Sequence, residues 1–309
     1  MSAADETPEA TEAAAPRAEH TAPVAGAEPD FTDTLTLSFA DFDAAVFGVV
    51  ALERGASDAA GALLFADGEL VASNARSDLL TDLPRWQALS TDALSIEIDQ
   101  ATWVVEMRAD SAQLTVEFLP LSDPFFFDAA SAPAAISGLE RSERICHVAG
   151  TATVAGRQRG IDGRGQRSHQ WGPPPWPALA SWRSLSAWLD DDGSLALWAA
   201  KPAGAGEHDR EALAARLVEG DPPHPLDVAD PRISTTYTAD GHPLRAGLEL
   251  WVGPDDDFAR RAAGELICAG SLRLGSSDQL WSFLDWRMDG HAGAGALAVV
   301  TPASSEAGA

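Results

Sequence analysis

Five Asp-Gly pairs punctuate this chain, at Asp67-Gly68, Asp162-Gly163, Asp192-Gly193, Asp240-Gly241 and Asp289-Gly290. Asp-Gly accepts the positive φ of tight hairpin turns, so each pair between extended segments predicts a reversal of a β-strand. The segments between them supply the strands. Leu94–Asp99 and Leu114–Phe118 alternate apolar and polar residues with period two, and Thr102–Arg108 between them is rich in β-formers. Leu185–Leu189 and Leu195–Ala199, joined through Asp190–Gly193, read as a hairpin. One stretch departs from this pattern. Asp209–Val218 carries Leu213 and Leu217 at helical spacing and reads as a helix.

Many short strands with regular turns predict an all-β protein, an antiparallel sandwich or barrel. About a dozen to sixteen short strands exceed one small barrel, so two barrel-like halves are expected. Proline-rich breaks at Pro173–Pro175 and at Pro222–Pro225 are both candidate joints. The expected division is a tail over 1–30, a first β domain over 31–200, a second over 201–301 and a tail over 302–309. Both tails read as disordered. The first is rich in Ala, Glu, Pro and Thr and has too little apolar surface to offset its ordering entropy.

Charge narrows the function classes. Lys and Arg number 21 against 47 Asp and Glu, a net charge of −26, and Lys201 is the only lysine. Such a chain repels nucleic acid and anionic membrane surfaces. The N-terminus has neither the basic nor the apolar region of a secretory signal, and no run is long enough to span a bilayer. A cytoplasmic protein is the expectation. Cys146 and Cys268 sit in apolar runs and read as buried, unpaired thiols.

The densest chemistry lies in Gly160–Trp176, GIDGRGQRSHQWGPPPW. Asp162, Gly163 and Gly165 read as a tight turn, and Arg167–Trp171 as a strand. Alternation then places Arg167, His169 and Trp171 on one face, with Ser168 and Gln170 on the other. Farther on, Trp182, Ser184, Ser186 and Trp188 share a strand face.

The run Cys146–Trp171 resembles a recurring segment of the lipocalin-like superfamily that contains carotenoid 1,2-hydratase (hydroxyneurosporene synthase), the AttH-like proteins and a large bacterial branch. The motif reads approximately G-x-G-x-R-D-H-x-W-G with a tryptophan shortly after. Here it stands as Gly163, Gly165, Arg167, Ser168, His169, Trp171, Gly172 and Trp176. A second echo runs from Trp281–Trp286 through Asp289-Gly290 to Gly293 and Gly295. The order of the pieces matches across roughly Phe31 to Thr301. The resemblance implies two consecutive lipocalin-like antiparallel β-barrel domains, with a ligand cavity in or between them. It also implies relatives that handle hydrophobic isoprenoid or polyketide-like molecules. Two positions depart from the pattern. The acid that usually precedes the motif histidine is Ser168, and the acid that often closes the C-terminal motif falls at Ala298.

Each candidate carries two readings. His169 is a proton-transfer residue or a structural histidine. Arg167 is a ligand contact or one half of an ion pair. Trp171, Trp176, Trp182 and Trp188 line a cavity or fill a core. The histidines show no paired metal-ligand spacing, and neither a phosphate-binding loop nor a G-x-S-x-G nucleophile elbow is present. No metal and no cofactor are expected. The reading is a protein that binds a hydrophobic small molecule and transforms it by hydration or isomerisation. The alternatives are a carrier without chemistry and an interaction protein with filled barrels. A pocket holding His169 and Arg167 favours the enzyme, an apolar pocket the carrier, and a packed interior the interaction protein.

Overall fold

The computed structural model describes residues 30–303 except 56–57, 78–87, 92, 100, 191–192, 207–209 and 255. The expected disordered tails therefore lie almost wholly outside the described residues; Pro302 ends a strand.

The first half carries β1 (Thr32–Asp41), β2 (Val46–Arg54), β3 (Ala59–Ala66), β4 (Glu69–Ser77), β5 (Ala88–Ser90) and β6 (Leu94–Asp99). It continues with β7 (Thr102–Arg108), β8 (Ala112–Pro120), β9 (Phe125–Phe127), a short helix α1 (Ala132–Ser137), β10 (Glu140–Val154) and β11 (Arg157–Gly172). The second half carries β12 (Leu179–Leu189), β13 (Ser194–Pro202), β14 (Ala212–Glu219), β15 (His224–Asp227) and β16 (Asp230–Tyr237). It ends with β17 (Pro243–Trp251), β18 (Arg260–Leu274), β19 (Ser277–Met288) and β20 (His291–Pro302).

Among the described residues these strands form two antiparallel sheets, of eleven and nine strands. The strand order is β4-β3-β2-β1-β11-β10-β8-β7-β6-β5 in one, with β9 beside β10, and β15-β14-β13-β12-β20-β19-β18-β17-β16 in the other. Each half thus closes the same way: its last strand returns to pair with its first. The all-β, two-half expectation holds. The change of sheet falls between Gly172 and Leu179, at the first proline-rich break, so β12 and β13 belong to the second sheet. The division expected at residue 200 does not coincide with it.

Two local expectations are overturned. Asp162-Gly163 is not a turn but lies inside β11. The reversal occurs at Ala155-Gly156, both at positive φ. An unbroken ladder from Glu140↔Trp171 to Val154↔Arg157 fixes the turn there, and that pairing outweighs one local Asp-Gly preference. The expected helix over 209–218 is strand β14; Asp209 lies outside the described residues. Leu213 and Leu217 are four apart, which suits a helix turn and a strand face equally. Pairing with β13 and β15 decides for the strand, which turns Leu213, Ala215 and Leu217 toward the second half's interior. The hairpin of β12 and β13 forms as expected.

Alternation sorts the core into three bodies. Leu35, Leu37 and Phe39 of β1 face the interior of the first half, which Trp103, Val116, Phe118 and Val148 also fill. Leu185, Leu197, Leu248 and Trp286 fill the second. The third body lies between the sheets, where Phe47 and Phe65 meet Phe283 at ring distances of 5.6 and 5.8 Å. Each such ring removes apolar surface worth roughly 2 kcal/mol, so this layer joins the halves firmly.

Candidate functional site

Strand β11 presents opposite chemistry on its two faces. Arg167 and His169 stand opposite Leu37 and Leu35 of β1 and so point into the first half. Arg167 is buried. Its guanidinium lies 4.6 Å from the Trp103 ring centroid and donates to the Ala101 carbonyl at 2.8 Å. His169 Nε2 is 2.5 Å from Asp33 Oδ1, and neither side chain is exposed at all. Trp171, half-buried, has its ring 4.9 Å from the imidazole. The expected trio is therefore side by side, with Arg167 and His169 buried in the first half and Trp171 half-buried beside them.

The other face of β11 meets the second sheet. Here Ser168 and Gln170, with Thr34 and Thr36 of β1, form one wall of a small, partly open cavity of about 30 Å³. Trp182 and Ser184 of β12, Gln279 and Trp281 of β19, and Ala298 and Val300 of β20 form the other. Its volume admits about one or two water molecules. The wall is polar on the first-sheet side, while the other mixes the indoles of Trp182 and Trp281 and the alkyl groups of Ala298 and Val300 with Ser184, Ser277 and Gln279.

Two charged groups reach this cavity. Arg141 is ion-paired with the buried Glu143 and donates to Ser168 Oγ at 3.0 Å. Burial pushes the Glu143 carboxyl up, while Arg141 pulls it down. The second group is Glu53, at the end of β2, 8% exposed. Burial pushes its pKa up to about 7, outweighing hydrogen bonds from the Ser276 backbone N–H and the Thr34 hydroxyl. Ser276 belongs to the turn between β18 and β19, so Glu53 reaches from the first sheet onto the second. A Cβ on Gly275, at φ +50°, would fall 1.8 Å from Glu53 Oε1, so only glycine admits the carboxyl there. With Arg141 balanced by Glu143 and Glu53 titrating near neutrality, the cavity is close to neutral and offers an acid whose proton is available near pH 7.

The remaining tryptophans distribute along this interface. Trp176, in the turn Trp176–Ala178, stacks on Trp182 at 5.0 Å and 19° and donates to Ser276 Oγ at 3.2 Å. Trp188 lies at the far end of β12 and lines a crevice of about 230 Å³ between the sheets. Larger hollows of about 660 and 540 Å³ lie on the surface, one beside Asp43, Asp67 and Arg159 and one beside Arg232, Arg261 and Arg287. In both, exposed ion pairs tie up most of the arginines, as in Arg159–Asp67 and Arg261–Glu249, and no aromatic side chain lines either.

Sequence reasoning placed Trp182 on one strand face with Ser184, and put Gln170 and Ser168 opposite His169. It missed Glu53, Arg141 and Gln279. The available signal for Glu53 was an acid ending the apolar run Val46–Leu52, where alternation aims it as Val49 and Ala51 are aimed.

The family described as Domain of unknown function (DUF7064) matches residues 15–303. No curated protein matches the sequence. Among solved structures, a protein assigned as AttH from Nitrosomonas europaea superposes with a TM-score of 0.67 at 13% identity, covering 87% of this chain and 91% of that one. CghA in complex with Sch210972 gives 0.62 at 13% identity, with 89% of each chain covered. Kievitone hydratase from Nectria haematococca gives 0.60 at 11% identity, covering 88% and 89%. The resemblance read from the Gly163–Trp176 motif thus holds for the fold.

Proposed function

The chain belongs to the DUF7064 family, and we propose that it binds a neutral, largely hydrophobic small molecule between its sheets and transforms it by proton transfer, as a cofactor-free hydratase or isomerase. The observation that carries this reading is Glu53, a buried acid with a pKa of about 7 on the wall of a cavity walled opposite by Trp182 and Trp281. A protonated Glu53 gives its proton to one carbon of a double bond. The adjacent carbon becomes cationic, and the indole faces stabilise it. In hydration, water oxygen bonds to that carbon and its surplus proton returns to the Glu53 carboxylate. In isomerisation, the proton returns from a neighbouring carbon instead. Neither route changes the oxidation balance.

That a hydratase and a protein complexed with a small organic molecule share this fold supports the reading by analogy. His169 enters it only indirectly, by holding β11 to β1 through Asp33. The cavity, about 30 Å³, is smaller than such a ligand, so binding requires the sheets to part around Trp176 and Trp182. The same reading takes the protein as cytoplasmic and without nucleic-acid partners. No helix among the described residues is long and apolar enough to cross a membrane.

Native mass spectrometry of freshly purified protein tests the proposal. The expected result is a non-covalent adduct that organic solvent releases as a neutral lipophile, and Glu53→Gln should bind it without converting it. The packed interiors of both half-barrels favour a second reading, an interaction protein whose barrels its own side chains fill. That reading predicts no adduct and no uptake of added lipophile.

A further inference from the structure

The two inter-sheet cavities lie on one line. Strands β1, β11, β12 and β20 each supply both of them. On each strand residues of one face reach both, though the cavity at Trp188 is also lined by their neighbours at the strand ends. On β12, Trp182 lines the near cavity and Trp188 the far one; on β20, Ala298 and Ala294 do the same. On β1 the pair is Thr36 and Ala40, and on β11 it is Ser168 and Arg164. A strand rises about 3.3 Å per residue, so the line from Trp182 to Trp188 runs about 20 Å.

Between the cavities each strand has one residue on the same face: Ser38, Gln166, Ser186 and Ala296. Three of these are small. Elsewhere in the inter-sheet layer aromatic rings interlock, as Phe47 and Phe65 do with Phe283. Two buried polar atoms along the line also lack partners among the described residues. They are the Gln166 Oε1 at its middle and the Trp188 indole N–H at its far end, in side chains 3% and 2% exposed. Buried polar groups are ordinarily satisfied, so such atoms mark where a bound molecule or water belongs.

Resting on the inter-sheet reading above, we propose that the two cavities are the ends of one binding channel. The channel takes a single elongated, mostly apolar molecule, with a neutral oxygen function beside Glu53 and its chain running past Ser186 and Ala296 toward Trp188. The near cavity supplies the hydrogen-bonding groups for the oxygen. The small residues at the middle leave the least resistance to a chain when the sheets part.

Binding of hexanol and dodecanol to the intact protein, followed by native mass spectrometry, tests this. Dodecanol alone is long enough to pass the middle. It should bind at least about tenfold more tightly than hexanol, a modest share of the gain from burying six further methylenes. Ser186→Phe and, from its cross-strand neighbour in the same sheet, Ala296→Phe should reduce dodecanol to the affinity of hexanol while leaving hexanol unchanged. Equal affinities in the wild-type protein, or a dodecanol preference that both plugs leave intact, overturns the channel while the near cavity stands as a site. If neither alcohol binds, the inter-sheet reading itself falls, and the channel with it. The wild-type chain-length comparison needs no variant to fold.

Discussion

His169 on β11 is held by Asp33 on β1, Nε2 to Oδ1 at 2.5 Å, with both side chains fully buried. The two are diagonal neighbours, since Leu35 stands opposite His169 and Asp33 opposite Trp171. The carboxylate missing at Ser168 is thus present in space, supplied by a residue 136 positions away. The imidazole is oriented by a carboxylate, and the first and last strands of the half are pinned together.

Asp33→Ala should cost about 3 kcal/mol or more, because it leaves a buried imidazole without its partner. Asp33→Asn should cost less, since the amide oxygen still accepts the ring N–H. Urea unfolding with an unchanged m-value is the measurement. A loss below about 1 kcal/mol for Asp33→Ala would show the pair to be incidental.

Glu53 predicts how stability depends on pH. Its folded pKa of about 7 lies above the ordinary 4.5. Between those values the folded state holds a proton that the unfolded state has lost, so stability falls as pH rises through this window and levels off above it. The loss is on the order of 3 kcal/mol in full, less where the interface hydrates. Glu53→Gln should flatten this part of the profile and be more stable than the parent at pH 8. Matched profiles for parent and variant between pH 4.5 and 8 would sink the assignment.

The contrast between Asp33 and Glu53 marks what was legible in the sequence. Strands, their alternation and the fold class followed from local pattern, because a period of two is set by the pleat itself. The turn at Ala155-Gly156 did not, since a long ladder chose it over Asp162-Gly163. Strand β14 did not, since Leu213 and Leu217 fit both periods. The motif located β11 but not which of its faces meets the second sheet: Ser168 and Gln170 do, while His169 turns into the first half. Glu53, Arg141 and Gln279 come from three strands far apart in sequence, and only sheet packing brings them to one cavity.

The cysteines should be inert in the native state. Cys146 and Cys268 are buried on different sheets with no disulfide between them, and burial pushes the Cys268 thiol up to about 12. Thiolate is the reactive form, so a thiol reagent at pH 8 should label neither. In denaturant both should react. Rapid native labelling of Cys268 would mean that the inter-sheet layer opens far more readily than its packing implies.

The matching strand orders of the halves make a last prediction, at their glycines. Gly163 on β11 and Gly293 on β20 occupy the strand that returns to the first strand of each half. A Cβ on Gly163 would lie 2.3 Å from the Ala40 carbonyl oxygen, and one on Gly293 would lie 1.9 Å from that of Trp188. Both obstacles are backbone, which cannot swing aside as a side chain can. Gly163→Ala and Gly293→Ala should therefore each cost about 2 kcal/mol or more, with the close of its own half disturbed. Gly160, on the same strand as Gly163, has nothing within 4 Å of its would-be Cβ. Gly160→Ala should be neutral or stabilise by up to about 0.5 kcal/mol, because it removes freedom only from the unfolded chain. Thermal unfolding of the three variants separates close approach from a general intolerance of alanine. A loss at Gly160→Ala equal to that at Gly163→Ala would mean that the strand, and not the contact with β1, demands glycine.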